Sequence, residues 1–266
     1  MTPDRIAEIA SRIKLCSLNT GAWRATRLHR DESAKVNAAH NTAYAAKVHV
    51  RLTNSPALHA LNKLHAEAYD AHRRLTLPSI QDGLRLIPAG RELEHSQKMQ
   101  DFAARHDAIK VQFLAEYEEE KRTAPVRLNG LFNAAHWPAG WVVAEKFTFK
   151  TRYLSCPASN GWADWITESA QAAEDELRER LTEALRHLVD RCAGDGKLYA
   201  SVFENLREVC ALVPDLNFQE APELTAAANV AQSLGALDAD TLRDNKTARK
   251  QASDKARSIL AAMGAQ

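Results

Sequence analysis

The chain has 266 residues, 45% of them apolar and 26% charged, with a formal net charge of +1. That length and apolar content can fill a folded core, and the near-neutral balance excludes both an acidic disordered chain and a polyanion-coating tail. Cysteines 16, 156, 192 and 210 are never closer than 18 positions, so no Cys-x-x-Cys pair exists for a zinc knuckle or redox motif, and a reducing compartment fits best.

The charge is unevenly spread. Residues 1–75 hold 12 Lys and Arg against 6 Asp and Glu, whereas residues 161–223 hold 6 against 14. Blocks of opposite sign can attract within a subunit or between subunits, and the basic N-terminal third could meet nucleic acid.

In chain order, Thr2-Pro3 is a helix-start signal, and Ile6, Ile9, Ile13 and Cys16 form a stripe that predicts one helix as far as Asn19–Gly21. A second helix is predicted over 31–46. Lys47–Leu52 alternates polar with apolar and predicts a short strand. Ser55-Pro56 opens a helix containing Leu58, Leu61, Leu64, Ala68 and Leu75. After the Asp82-Gly83 turn, Leu84, Leu86 and Ile87 are expected to pair with residues 48–52. A rod helix is predicted over 91–122, stopped by Pro125.

Eight of the 17 aromatic residues fall between Phe132 and Trp165, where helical patterning stops. There Phe147, Phe149 and Tyr153 alternate with Lys146, Lys150 and Arg152, which on a strand puts rings on one face and cations on the other. Beyond it, Trp165, Ile166, Ala170, Ala173, Leu177, Leu181, Leu185, Leu188 and Cys192 give the strongest helical pattern of the chain, with Gly194-Asp195-Gly196 as its stop. Further helices are predicted over 197–213, 223–234 and 240–263, the last carrying Arg243, Lys246, Arg249, Lys250, Lys255 and Arg257.

The expected fold is mainly α, with long antiparallel helices and a small β element assembled from Val48–Leu52, Leu84–Ile87 and Phe147–Tyr153. Its organisation is a helical N-terminal half (1–125), an aromatic strand and loop element (126–161) and a helical C-terminal half (162–266). Charges break up the first twenty residues, unlike a signal peptide, and no run approaches the roughly 18 apolar residues of a membrane helix. A soluble cytoplasmic protein with no membrane contact is expected.

Catalytic and cofactor patterns fail one by one. His65 and His72 share a helix face but stand about 10 Å apart along the axis, too far for one ion. Glu92-x-x-His95 occurs once, whereas di-iron bundles use two such copies. Gly194-x-Gly196 follows a helix and lacks the third glycine of a dinucleotide loop. No nucleophile elbow or metalloprotease helix motif is present. No catalytic residue, cofactor or metal is therefore expected, and the candidate contacts to a partner or to nucleic acid are Lys146, Lys150, Arg152, Arg243, Lys246, Arg249 and Lys250.

The order of elements, with Gly83-Leu84-Arg85-Leu86-Ile87-Pro88, the rod Arg91 to Tyr117, Lys146-Phe147-Thr148-Phe149 and Leu242-Arg243-Asp244-Asn245, resembles a bacterial and phage family of unknown function. Genes of that family often stand beside those for MoxR-type AAA+ ATPases and for von Willebrand-type proteins resembling cobaltochelatase subunits. The resemblance implies a non-enzymatic accessory protein acting by protein-protein assembly, as adaptor, partner or substrate of such an ATPase. A homo-oligomer built through the long helices is expected. The alternatives are a single-stranded nucleic-acid binder using Lys146, Phe149, Lys150, Arg152 and Tyr153, and a virion or tail component.

Overall fold

A computed structural model describes residues 2–156, 162–193, 198–218, 220–243 and 245–264. The elements run α1 (Pro3–Arg12), β1 (Ile13–Gly21), β2 (Thr26–Leu28), α2 (Arg30–Ala39), β3 (His49–Arg51), α3 (Pro56–Leu75), β4 (Leu77–Pro78) and β5 (Arg85–Pro88). They continue as α4 (Glu92–Leu128), α5 (Gly140–Ala144), β6 (Thr148–Ser155), α6 (Ala163–Ala193), α7 (Ala200–Leu216), α8 (Pro222–Gly235), α9 (Ala239–Arg243) and α10 (Lys246–Ala262). The fold is mainly α with a minor β component. Among the described residues no helix is long and apolar enough to cross a membrane.

Two compact units form, each discontinuous in sequence. The first comprises Met1–Ser17, Ala71–His95 and Arg152–Gln266. Its centre is α6, whose stripe Ile166, Ala170, Ala173, Leu177, Leu181, Leu185 and Leu188 is fully buried and packs against α7 and α10. Each of those leucines withdraws enough apolar surface to contribute about 1.5–3 kcal/mol. Phe203, Leu206 and Val213 of α7 and Leu224 and Ala231 of α8 extend the same core.

The second unit comprises Leu18–Asp70 and Ser96–Thr151. Its core is aromatic: Trp23 lies edge-on to Tyr117 at 5.4 Å and near Trp137 at 6.2 Å, while Phe113 meets Phe147 at 5.3 Å. Edge-to-face rings add to the area they bury. The Tyr117 hydroxyl donates to the Pro138 carbonyl at 2.8 Å, fixing the Trp137-Pro138 corner over α4.

Four sequence expectations are corrected. The first helix stops at Arg12, and Ile13–Gly21 is strand β1, paired antiparallel with β5 in the register Ile13↔Pro88 to Cys16↔Arg85. The buried positions Ile13, Leu15, Cys16 and Leu18 fall on both faces of the strand, so no single period marks it, and sheet pairing decides the outcome. Residues 48–52 do not pair with residues 84–87. β5 has β1 on one edge and β4 on the other in the sheet order β4-β5-β1-β6, so β3 pairs instead with β2 in a separate two-stranded ribbon.

Helix α2 ends at Ala39 instead of residue 46. Asn37 ends it, because its amide accepts from the Ala46 N–H and donates to the Ala46 carbonyl at 2.9 Å each, and Asn41 takes a φ of 51°. Helix α4 passes through Pro125 to Leu128, where Asn129 at φ 47° terminates it. The expected Gly194-Asp195-Gly196 stop, the start of α7 at Lys197 and Asp244 of the tail lie outside the described residues.

Candidate functional site

Four of the predicted contact residues come from the basic C-terminal helix, and the structure brings three of them together. Asn245 caps α10 by accepting from the Ala248 N–H at 2.9 Å, and the helix then places Lys246, Arg249, Lys250, Ser253 and Arg257 along one side at spacings of three and four. These residues, with Asp254 and with Cys192 and Ala193 at the end of α6, line a pocket of about 420 Å³. Lys246, Lys250 and Arg257 are exposed, and none of the three is in a salt bridge among the described residues.

Arg249 is built in more firmly. It is buried and donates from Nη2 to the Arg191 carbonyl at 2.8 Å, where a cation meets the negative end of the α6 dipole. The pocket thus gathers four cations against one acid, with the positive N-terminal end of α10 beside them. Arg243 is elsewhere: it pairs with Asp240 at 2.9 Å and donates to the Leu198 carbonyl.

The same unit carries an opposite surface. Asp164, Glu168, Asp175, Glu179 and Glu183 of α6 are all exposed and, at about 100° per residue, fall within roughly 100° of arc. Arg186 is the cation on that face. Glu168, Glu179 and Glu183 enter no salt bridge among the described residues.

Lys146, Lys150 and Arg152 are exposed, while Phe147 is buried and Phe149 and Tyr153 are half-buried. Phe149 packs on the stacked imidazoles of His65 and His106, which lie 5.3 Å apart at 17°, and the Tyr153 hydroxyl meets His95 Nδ1 at 2.7 Å. The rings are turned to packing, so a stacking platform for bases is not what the strand presents. Lys150 and Arg152 lie on an edge strand, where charge also discourages pairing with a second sheet.

A buried polar cluster was not read from the sequence. Cys16 of β1, His72 of α3 and His95 of α4 are almost fully buried, and their Sγ and ring nitrogens all lie within 4.8 Å of one another. His72 Nδ1 and His95 Nε2 are hydrogen-bonded at 2.8 Å, and the Cys16 thiol donates to the Arg85 carbonyl at 3.5 Å. Arg85 in turn donates from Nε to Thr76 Oγ1 at 2.6 Å, and Thr76 donates to the His72 carbonyl at 2.6 Å.

Burial sets the protonation states. It pushes the Cys16 thiol up to about 12, with the nearby Arg85 guanidinium opposing, and it pulls His72 down to about 3, helped by His95 and Arg85. At neutral pH the cluster is therefore a thiol and a neutral imidazole at His72, available to donate lone pairs. Histidine spacing along one helix gives no sign of the cluster, because these three donors come from three elements.

Searches of family models, of curated proteins and of solved structures find no match for the chain.

Proposed function

We propose that this protein works by protein-protein assembly, the basic pocket between α6 and α10 of one copy receiving the acidic face of α6 of another. The observation that carries the reading is the convergence of Lys246, Lys250 and Arg257 with the buried Arg249 around one concavity, in a unit whose longest helix displays Glu168, Glu179 and Glu183 outward. Complementary patches of this kind steer encounter and fix register more than they add raw affinity. Because each chain carries both patches, the contact either forms twice across a two-fold axis in a dimer or runs head-to-tail into a ring or a filament. The family resemblance adds an AAA+ ATPase as the partner that the assembled form serves.

Sedimentation velocity tests this. At about 50 mM salt the protein should sediment above its 29.5 kDa chain mass, and at about 0.5 M, where exposed charges are screened within a few ångström, it should return toward monomer. Replacing Lys246, Lys250 and Arg257 by Glu should give a monomer at both. A monomer throughout for the unaltered protein contradicts the reading, and a salt-sensitive shift seen only with added single-stranded nucleic acid favours that ligand instead.

A further inference from the structure

Three segments far apart in the chain deliver a thiol and two imidazoles to one dry point. Cys16 comes from the sheet, His72 from the last turn of α3 and His95 from the first turn of α4, all within the first unit. Their donor atoms fit inside 4.8 Å. Around an ion held by Zn–S bonds of about 2.3 Å and Zn–N bonds of about 2.05 Å, such atoms would lie roughly 3.3–3.6 Å apart, so the His72 and His95 nitrogens need to part by about 0.5 Å and the Cys16 sulfur to close on them by at most about 1.3 Å.

We infer that Cys16, His72 and His95 form a binding site for one thiophilic transition-metal ion, zinc or copper(I), that staples β1, α3 and α4. The surroundings are those of a supported ligand set. Tyr153 Oη stands 2.7 Å from His95 Nδ1, the ring nitrogen on the far side from the cluster, and can accept its proton so that Nε2 presents a lone pair. Thr76 holds the His72 backbone and Arg85 together through its hydroxyl. On loading, the ion takes the place of the hydrogen bond between His72 and His95, and the ring that donated it shifts that proton, by exchange with solvent, to its own other nitrogen. Each neutral ring then carries one proton on the nitrogen away from the ion, and Cys16 releases its thiol proton to solvent. The product is one S–metal and two N–metal bonds.

Charge separates the two ions. Copper(I) with one thiolate is neutral, which suits a buried site beside Arg85 and a three-donor set; zinc leaves a net positive charge and calls for a fourth ligand. The site is closed, with Cys16 at 0% and His95 at 1% exposure, so its role is structural and the ion is loaded as the unit folds.

The test refolds the full-length, reduced protein from denaturant in the presence of cobalt(II). About one ion per chain should bind, with a thiolate-to-cobalt charge-transfer band in the near ultraviolet. The band should survive when Cys156, Cys192 and Cys210 are all replaced by Ala and vanish in Cys16→Ala. Tyr153→Phe should weaken cobalt binding about 10–100-fold while leaving one ion per chain. Displacement of cobalt by zinc or by copper(I) supports the site and names its occupant. Refolding of the unaltered protein with cobalt that yields no charge-transfer band overturns the proposal without any variant, as does a band that persists in Cys16→Ala.

Discussion

A methyl group added at Gly21 would lie 2.7 Å from Thr148 Oγ1 and 2.9 Å from the Lys146 carbonyl oxygen, in a stretch where two backbones approach closely. The hydroxyl can rotate aside, but the carbonyl belongs to the chain. Gly21→Ala should therefore lower stability by about 1–3 kcal/mol in urea unfolding, and an unchanged midpoint would contradict the close approach. His65 gives a second residue-scale expectation. Burial, and secondarily the charge of His106, hold its imidazole below the ordinary value of 6.5. Below that value the unfolded chain binds a proton the folded chain refuses, so stability falls as pH drops below about 6.5, by at most about 1.4 kcal/mol per pH unit for one site. His65→Phe keeps a ring and removes the proton, so its acid limb in pH-dependent urea melts should be flatter; an identical slope would sink this assignment. Residues of these two kinds differ in legibility. The opposition of Phe147, Phe149 and Tyr153 to Lys146, Lys150 and Arg152 could be read from period two alone, whereas Gly21 gives no sign of its need in sequence, because the atoms it must avoid come from more than a hundred residues away.

At the scale of elements, α6 is the part of the fold that local pattern specifies best. Its stripe runs at three and four residues for eight turns, and packing against α7 and α10 rewards every position. Leu185→Ala, at a site with no exposure, should cost about 2–5 kcal/mol in thermal or urea unfolding, while Glu179→Lys on the solvent face should stay within about 0.5 kcal/mol. Equal effects would mean that the helix is not oriented as described. The strand β1 shows the opposite case. Ile13, Leu15, Cys16 and Leu18 are buried on both faces of the strand and follow no clean strand period, so only the partner strand β5, about seventy residues on, decides the outcome. The same distance hides the Cys16, His72 and His95 cluster, since spacing arguments work within an element and these donors meet through tertiary packing. The strand β3 was legible as a strand but not in its pairing, because its partner β2 carries just three residues.

At the scale of the whole molecule, a net charge of +1 conceals two surfaces of opposite sign in one unit: a pocket with four cations around α10 and an acidic face along α6. The basic composition of the tail helix was visible in sequence; that Arg249 would turn inward onto Arg191 while Lys246, Lys250 and Arg257 stay exposed was not, since it depends on where α10 packs. Charge reversal on either surface should abolish self-association, and the two reversals should compensate. The most direct measurement mixes them: one variant with Lys246, Lys250 and Arg257 replaced by Glu, and a second with Glu168, Glu179 and Glu183 replaced by Lys, examined separately and together by light scattering at low salt. Each variant should be monomeric near 29.5 kDa by itself and the equimolar mixture should gain mass, because the second variant's intact pocket still meets the first variant's intact acidic face. A mixture that stays monomeric while the unaltered protein assembles would contradict this pairing.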